Sequence, residues 1–106
     1  MLILPIKKKW FDMILSGEKK EEYREVKPYY KSRFKKVFVM CPYTYIPSGL
    51  DVHEIMFRNG YRSDSPSFTA TCSLDIKQGR PEWGAEPGVD YYVLTIVDIK
   101  SKGNEE

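Results

Sequence analysis

Apolar positions change rhythm along this chain, and each rhythm predicts an element. Leu2, Ile3, Leu4 and Ile6 form a short β-like run. Trp10, Phe11, Ile14 and Leu15 then recur at spacings of four, with Lys8, Lys9, Asp12 and Ser16 on the other face, which predicts an amphipathic helix. Gly17 follows where a helix needs a C′ residue with positive φ, so the helix should stop there and the backbone turn sharply. Glu21 to Val26 reads as a short strand, and Pro28, suited to a helix start, opens a basic and aromatic second helix through Phe34. Val37 to Cys41 is a continuous apolar run, read as a strand, and Glu54 to Phe57 is another β-like run. Phe68 to Ile76 alternates apolar and polar at every step, the strongest strand pattern in the chain. Tyr91 to Ile99 is apolar on both faces and rich in β-branched residues, after a connection punctuated by Gly79, Pro81, Gly84, Pro87 and Gly88.

The predicted order is strand, helix, strand, helix and then four strands. That order points to an α+β domain on a small curled or barrel-like sheet rather than a βαβ sandwich. At 106 residues the chain has the length of one domain, placed here at 1–100, with a polar tail at 101–106 expected to fray. Its 42% hydrophobic and 14% aromatic content is enough to build a core, which excludes a disordered chain.

Charge adds an asymmetry that the total conceals. The net charge is +2, but residues 1–40 carry eleven Lys/Arg against five Asp/Glu, whereas residues 41–106 carry six against ten. A basic front half is a prior for an anionic partner, nucleic acid above all, set against an ordinary solvated surface. Leu2 to Ile6 is too short for a secretory core and precedes its positive charges, and no run approaches a membrane span, so a cytoplasmic protein is expected. Cys41 and Cys72 both sit in apolar runs and are expected as buried thiols. With His53 the single histidine, no His/Cys metal cluster can be assembled, and neither metal nor cofactor is expected.

The chemistry concentrates after the first helix. Gly17 lets the backbone leave in a tight turn, Lys19 lies near its exit, and Glu22 and Arg24, two apart on a strand, point to one face. Strand parity alone puts Lys19 on the opposite face, so its convergence with the other two depends on the turn. In a cleft, Arg24 would hold a phosphate or carbonyl, Glu22 would accept from a base edge or take a proton, and Lys19 would neutralise or abstract. The alternative is a surface Glu22–Arg24 pair beside a solvated lysine.

These four residues stand in the spacing GxKxxExR, which resembles the signature of the ASCH (activating signal cointegrator homology) family, whose members have a PUA-like β-barrel. The preceding strand and helix, the Asn59-Gly60-Tyr61 turn and the segment Glu82 to Gly88 are similar to small stand-alone prokaryotic and phage members, so the resemblance spans nearly the whole chain. It implies RNA binding. It also implies a possible hydrolase, because small members include an amidohydrolase acting on acetylated cytidine and ribonuclease activity is reported. In the amidohydrolase a lysine and a threonine of this motif act together. Lys19 matches the lysine, but Glu22 occupies the threonine position and has no hydroxyl.

The reading is thus a domain binding RNA or a nucleotide-like small molecule in a cleft of Lys19, Glu22 and Arg24. Tyr61 and Trp83 stand as cleft walls, with Arg58 and Arg62 as phosphate contacts beside them. Two alternatives stay open: a hydrolase using Lys19, Glu22 and Arg24, and a non-catalytic interaction module in which the motif only shapes the turn. Tyr29, Tyr30 and Phe34, interleaved with Lys27, Lys31, Arg33, Lys35 and Lys36, suit a single-stranded nucleic acid, or else an amphipathic helix with Tyr30 and Phe34 packed inward.

Overall fold

In a computed structural model, which describes residues 1–103, the alternating run becomes β4 (Ser67–Gln78), the middle strand of a five-stranded sheet. Its inward residues Phe68, Ala70, Cys72 and Leu74 are all buried, as the period of two requires. β3 (Val52–Arg58) and β5 (Asp90–Gly103) pair antiparallel on either side of it. β1 (Ile3–Pro5) joins β3 in parallel and β2 (Glu21–Glu25) joins β5 antiparallel, giving the order β1-β3-β4-β5-β2 in a mixed sheet.

The sheet curls into a half-barrel. Two register irregularities between β4 and β5, at Thr69/Ala70 and Thr71/Cys72, supply the local bend that bulges produce. The curl brings the two edge strands together: Arg24 of β2 donates from Nη2 to the Pro5 carbonyl of β1 at 2.9 Å. Two helices fill the concave side. From α1 (Lys8–Leu15), Phe11 packs edge-on against Phe68, and from α2 (Pro28–Phe34), Phe34 packs against Phe38 and Tyr92. Leu4, Ile6, Ile14, Ile55, Phe57 and Leu94 complete the buried cluster, each such side chain contributing about 1.5–3 kcal/mol by leaving water.

Among the described residues three strands, not four, follow the second helix. Val37 to Cys41 is not a strand: Val37 and Phe38 donate back to the Phe34 carbonyl as a turn continuing α2, and only Met40 forms an isolated bridge, to Pro47. Phe38 is buried by that turn, and a continuous apolar run carries no periodicity to separate this from a strand. Cys72 is buried, and burial pushes its thiol up to about 12, but Cys41 is exposed, against the expectation for both. β5 extends to Gly103 by pairing with Ser67, so the strand takes in the start of the tail expected to fray; residues 104–106 lie outside the described residues. Among the described residues, no helix is long and apolar enough to cross a membrane.

Gly17 ends α1 with φ of +85°, where L side chains are strained. A Cβ there would meet nothing closer than Lys20 Nζ at 3.9 Å, so Gly17→Ala should cost only the backbone term, about 1–2 kcal/mol. Urea unfolding should show a lower midpoint with an unchanged slope.

Candidate functional site

Glu22 lies on β2 opposite Leu94 of β5, and its side chain turns inward from the sheet edge with only 8% exposure. Burying a carboxylate there requires partners, and it has two. Lys19 Nζ donates to Oε1 at 2.6 Å and Arg24 Nη2 to Oε2 at 2.9 Å. Lys19 reaches this side despite strand parity because the Gly17 turn redirects the chain and the Lys19 amide donates to the Met13 carbonyl of α1. Its Nζ is fully buried, also donates to the Glu21 carbonyl, and lies 5.2 Å from the Trp10 ring and 5.1 Å from the Tyr23 ring. Burial holds the Lys19 ammonium below its ordinary value of 10.5, against the opposing pull of Glu22.

A cavity of about 510 Å³ opens above Glu22 and Arg24, at the seam where the two sheet edges meet. Pro5, Ile6 and Lys7 line it from the exit of β1, Trp10 from α1 and Tyr30 from α2. Asn59, Gly60 and Tyr61 line it from the turn after β3. Asn59 secures this wall: its Nδ2 donates to the Ile6 carbonyl at 3.0 Å, while the Ile6 amide donates to Arg58. Lys7 and Arg24 face a single carboxylate, so the lining is net cationic, and Lys19 adds a further positive charge behind Glu22. Chemically the cavity offers aromatic faces from Trp10, Tyr30 and Tyr61, an acceptor in Glu22 and the Arg24 guanidinium, whose Nε is buried with no hydrogen-bond partner among the described residues.

The three motif residues therefore converge. Glu22, Arg24 and Tyr61 line the cavity, Tyr61 at 88% exposure standing on its rim. Lys19 does not line it; it braces Glu22 from behind. Arg58 is also outside the lining, with Nη2 on Met56 Sδ at 3.7 Å and a buried Nε that has no partner among the described residues, and Arg62 pairs with Asp64. Trp83 sits on a 3-10 turn (Pro81–Trp83) under the Arg80 guanidinium, 5.0 Å from its ring, and likewise does not line the cavity. The glycine after it matters more: a Cβ on Gly84 would come within 3.0 Å of the Trp10 indole, so this turn abuts the ring that forms the wall.

Sequence reasoning missed Trp10, Lys7 and Asn59 as lining residues. Trp10 reads as part of the apolar stripe of α1, yet it is only half-buried while Phe11 and Ile14 are buried. Its adjacency to Lys9, whose Nζ lies 4.6 Å from the ring, is the one local signal of a stripe edge. Tyr30 packs toward Phe34 as expected of an inward face and lines the cavity as well.

Fold and site together define a small α+β domain with a half-barrel sheet whose seam carries a buried Lys–Glu–Arg cluster under an aromatic cavity. No family model, no curated protein and no solved structure matches the chain.

Removing Lys19 leaves Glu22 with half its compensation, so Lys19→Met should destabilise the fold by about 3 kcal/mol in urea. The folded state binds the Lys19 proton more weakly than the unfolded chain, so from the lowered folded value up to 10.5 the lysine's contribution to stability rises with pH. The stability gap between wild type and Lys19→Met should accordingly widen across that alkaline window; a constant gap would show that burial does not hold the Lys19 ammonium below its ordinary value.

Proposed function

We propose that this is a PUA-like domain of the ASCH type that binds RNA through a nucleotide held in the seam cavity. The observation that carries the reading is the buried Glu22 carboxylate, clamped by Lys19 and Arg24, under a rim of aromatic rings. Aromatic faces stack on bases of any kind, a fixed carboxylate accepts from an exocyclic amine or ring N–H, and a guanidinium lining the cavity donates to a base carbonyl or phosphate. Lys7, exposed at the mouth, meets the phosphate that a base in this position would bring with it. Full side-chain exposure is not needed for the motif to work, because its lysine holds the reader in place.

Binding is favoured over amide hydrolysis by the same geometry. Lys19 Nζ is committed to Glu22 and the Glu21 carbonyl, outside the cavity lining, and Glu22 offers no hydroxyl nucleophile. Incubation with acetylated cytidine separates the two readings: turnover by wild type that is lost in Glu22→Gln would replace the binding reading with the enzymatic one.

Tryptophan fluorescence should report ligand entry through Trp10. Titration with nucleoside monophosphates and short single-stranded RNA should quench it, with affinity falling as salt rises. Trp10→Ala should weaken binding by about tenfold or more, and Arg24→Gln by a similar factor. Absence of binding at low salt, or affinity indifferent to both substitutions, would remove this cavity as the site.

A further inference from the structure

The cavity holds one nucleotide at most, but the surface beside it is built for more. Between Glu25 and Asp51 the chain contains no acidic residue and five cations. Three of them, Lys27, Lys31 and Lys35, stand four apart along α2 and its two caps, forming one stripe with about 6 Å between successive positions. Lys27 has a carboxylate partner in Glu25 and also lies 5.6 Å from the Tyr30 ring. Lys31 and Lys35, by contrast, are partnered by an aromatic ring: both lie over Tyr45, at 4.3 and 5.5 Å.

Tyr45 is held there at a cost. It has φ of +57°, the left-handed region that an aromatic residue rarely adopts, in a loop closed by its amide donating to the Cys41 carbonyl at 2.8 Å. The strained backbone presents the ring beside two lysines. Tyr30, at the other end of the stripe, is a wall of the cavity, so the two features are continuous.

We propose that this stripe is the continuation of the ligand path: single-stranded nucleic acid leaves the cavity past Tyr30, runs along Lys27, Lys31 and Lys35, and stacks a base on Tyr45. The inference rests on the nucleotide-binding reading and extends it from one nucleotide to a polymer. Evenly spaced cations alternating with ring faces match a chain of phosphates and bases. An anionic lipid surface asks only for charge and buried apolar area, which the neighbouring exposed Tyr43, Ile46 and Leu50 would supply, and it gives no role to the connection with the cavity. Arg33 and Tyr29, paired at 4.2 Å, lie on the other flank of α2, about 200° from Lys31, and serve as an internal control.

The test compares uridine monophosphate with fluorescein-labelled octauridylate by anisotropy, in wild type, Lys31→Gln/Lys35→Gln and Arg33→Gln, all three folded by circular dichroism. Wild type should bind the octamer about tenfold or more tighter than the monophosphate. The double variant should lose that gain, lower the steepness of the log Kd against log salt plot by about 1.4, and keep its affinity for the monophosphate. Arg33→Gln should keep the gain. Equal affinity for both ligands, or a gain that survives the double substitution or is lost in Arg33→Gln, overturns the track while leaving the cavity reading intact. Failure to bind either ligand overturns both. Binding to phosphatidylglycerol vesicles but not phosphatidylcholine vesicles, with no preference for the octamer, assigns the stripe to a lipid surface instead.

Discussion

A carboxylate removed from water at a sheet edge is tolerable only while its charge is matched, and Glu22 meets that condition through two cations that arrive from different directions. Lys19 comes from the turn after α1, and Arg24 from two residues along the same strand. Arg24 also reaches across to the Pro5 carbonyl, so one guanidinium ties the acid to the opposite edge of the sheet. Local turn geometry, charge compensation and closure of the half-barrel are thus a single coupled arrangement. Loss of any member leaves either an uncompensated buried charge or an open seam.

The cavity follows from that closure. A curled sheet whose edges meet through a side chain rather than through a ladder of backbone bonds leaves space at the seam, and the elements flanking it decide what lines that space. Here they are the first turn of α1, the start of α2 and the turn after β3, which bring aromatic rings and Asn59 to the mouth. The polar cluster at the floor has excess positive charge, and the walls are flat and apolar.

Much of the fold was legible along the chain because it is written in short-range periodicity. The stripe at Trp10, Phe11, Ile14 and Leu15, the stop at Gly17, the proline-led second helix and the alternation after Phe68 all appear as expected. Val37 to Cys41 misled for a definite reason: five apolar residues in a row are equally served by a strand or by a turn that buries Phe38. The extension of β5 was hidden because its last residues are polar and gain order from pairing with Ser67 and its neighbours, a long-range event.

For the site, the sequence by itself determined the ingredients: a glycine turn, a lysine beyond it, and an acid and an arginine on one strand face, with a basic bias in the first 40 residues. It could not determine depth. Only the tertiary structure decided that Lys19 lies behind Glu22 instead of in the cleft, that Trp10 replaces Trp83 as the wall, and that Arg58 turns away from the cavity. The physical reason is that periodicity fixes which face of an element a side chain occupies. What that face looks onto depends on how a curled sheet brings its two edges, and the loops beside them, to the same place.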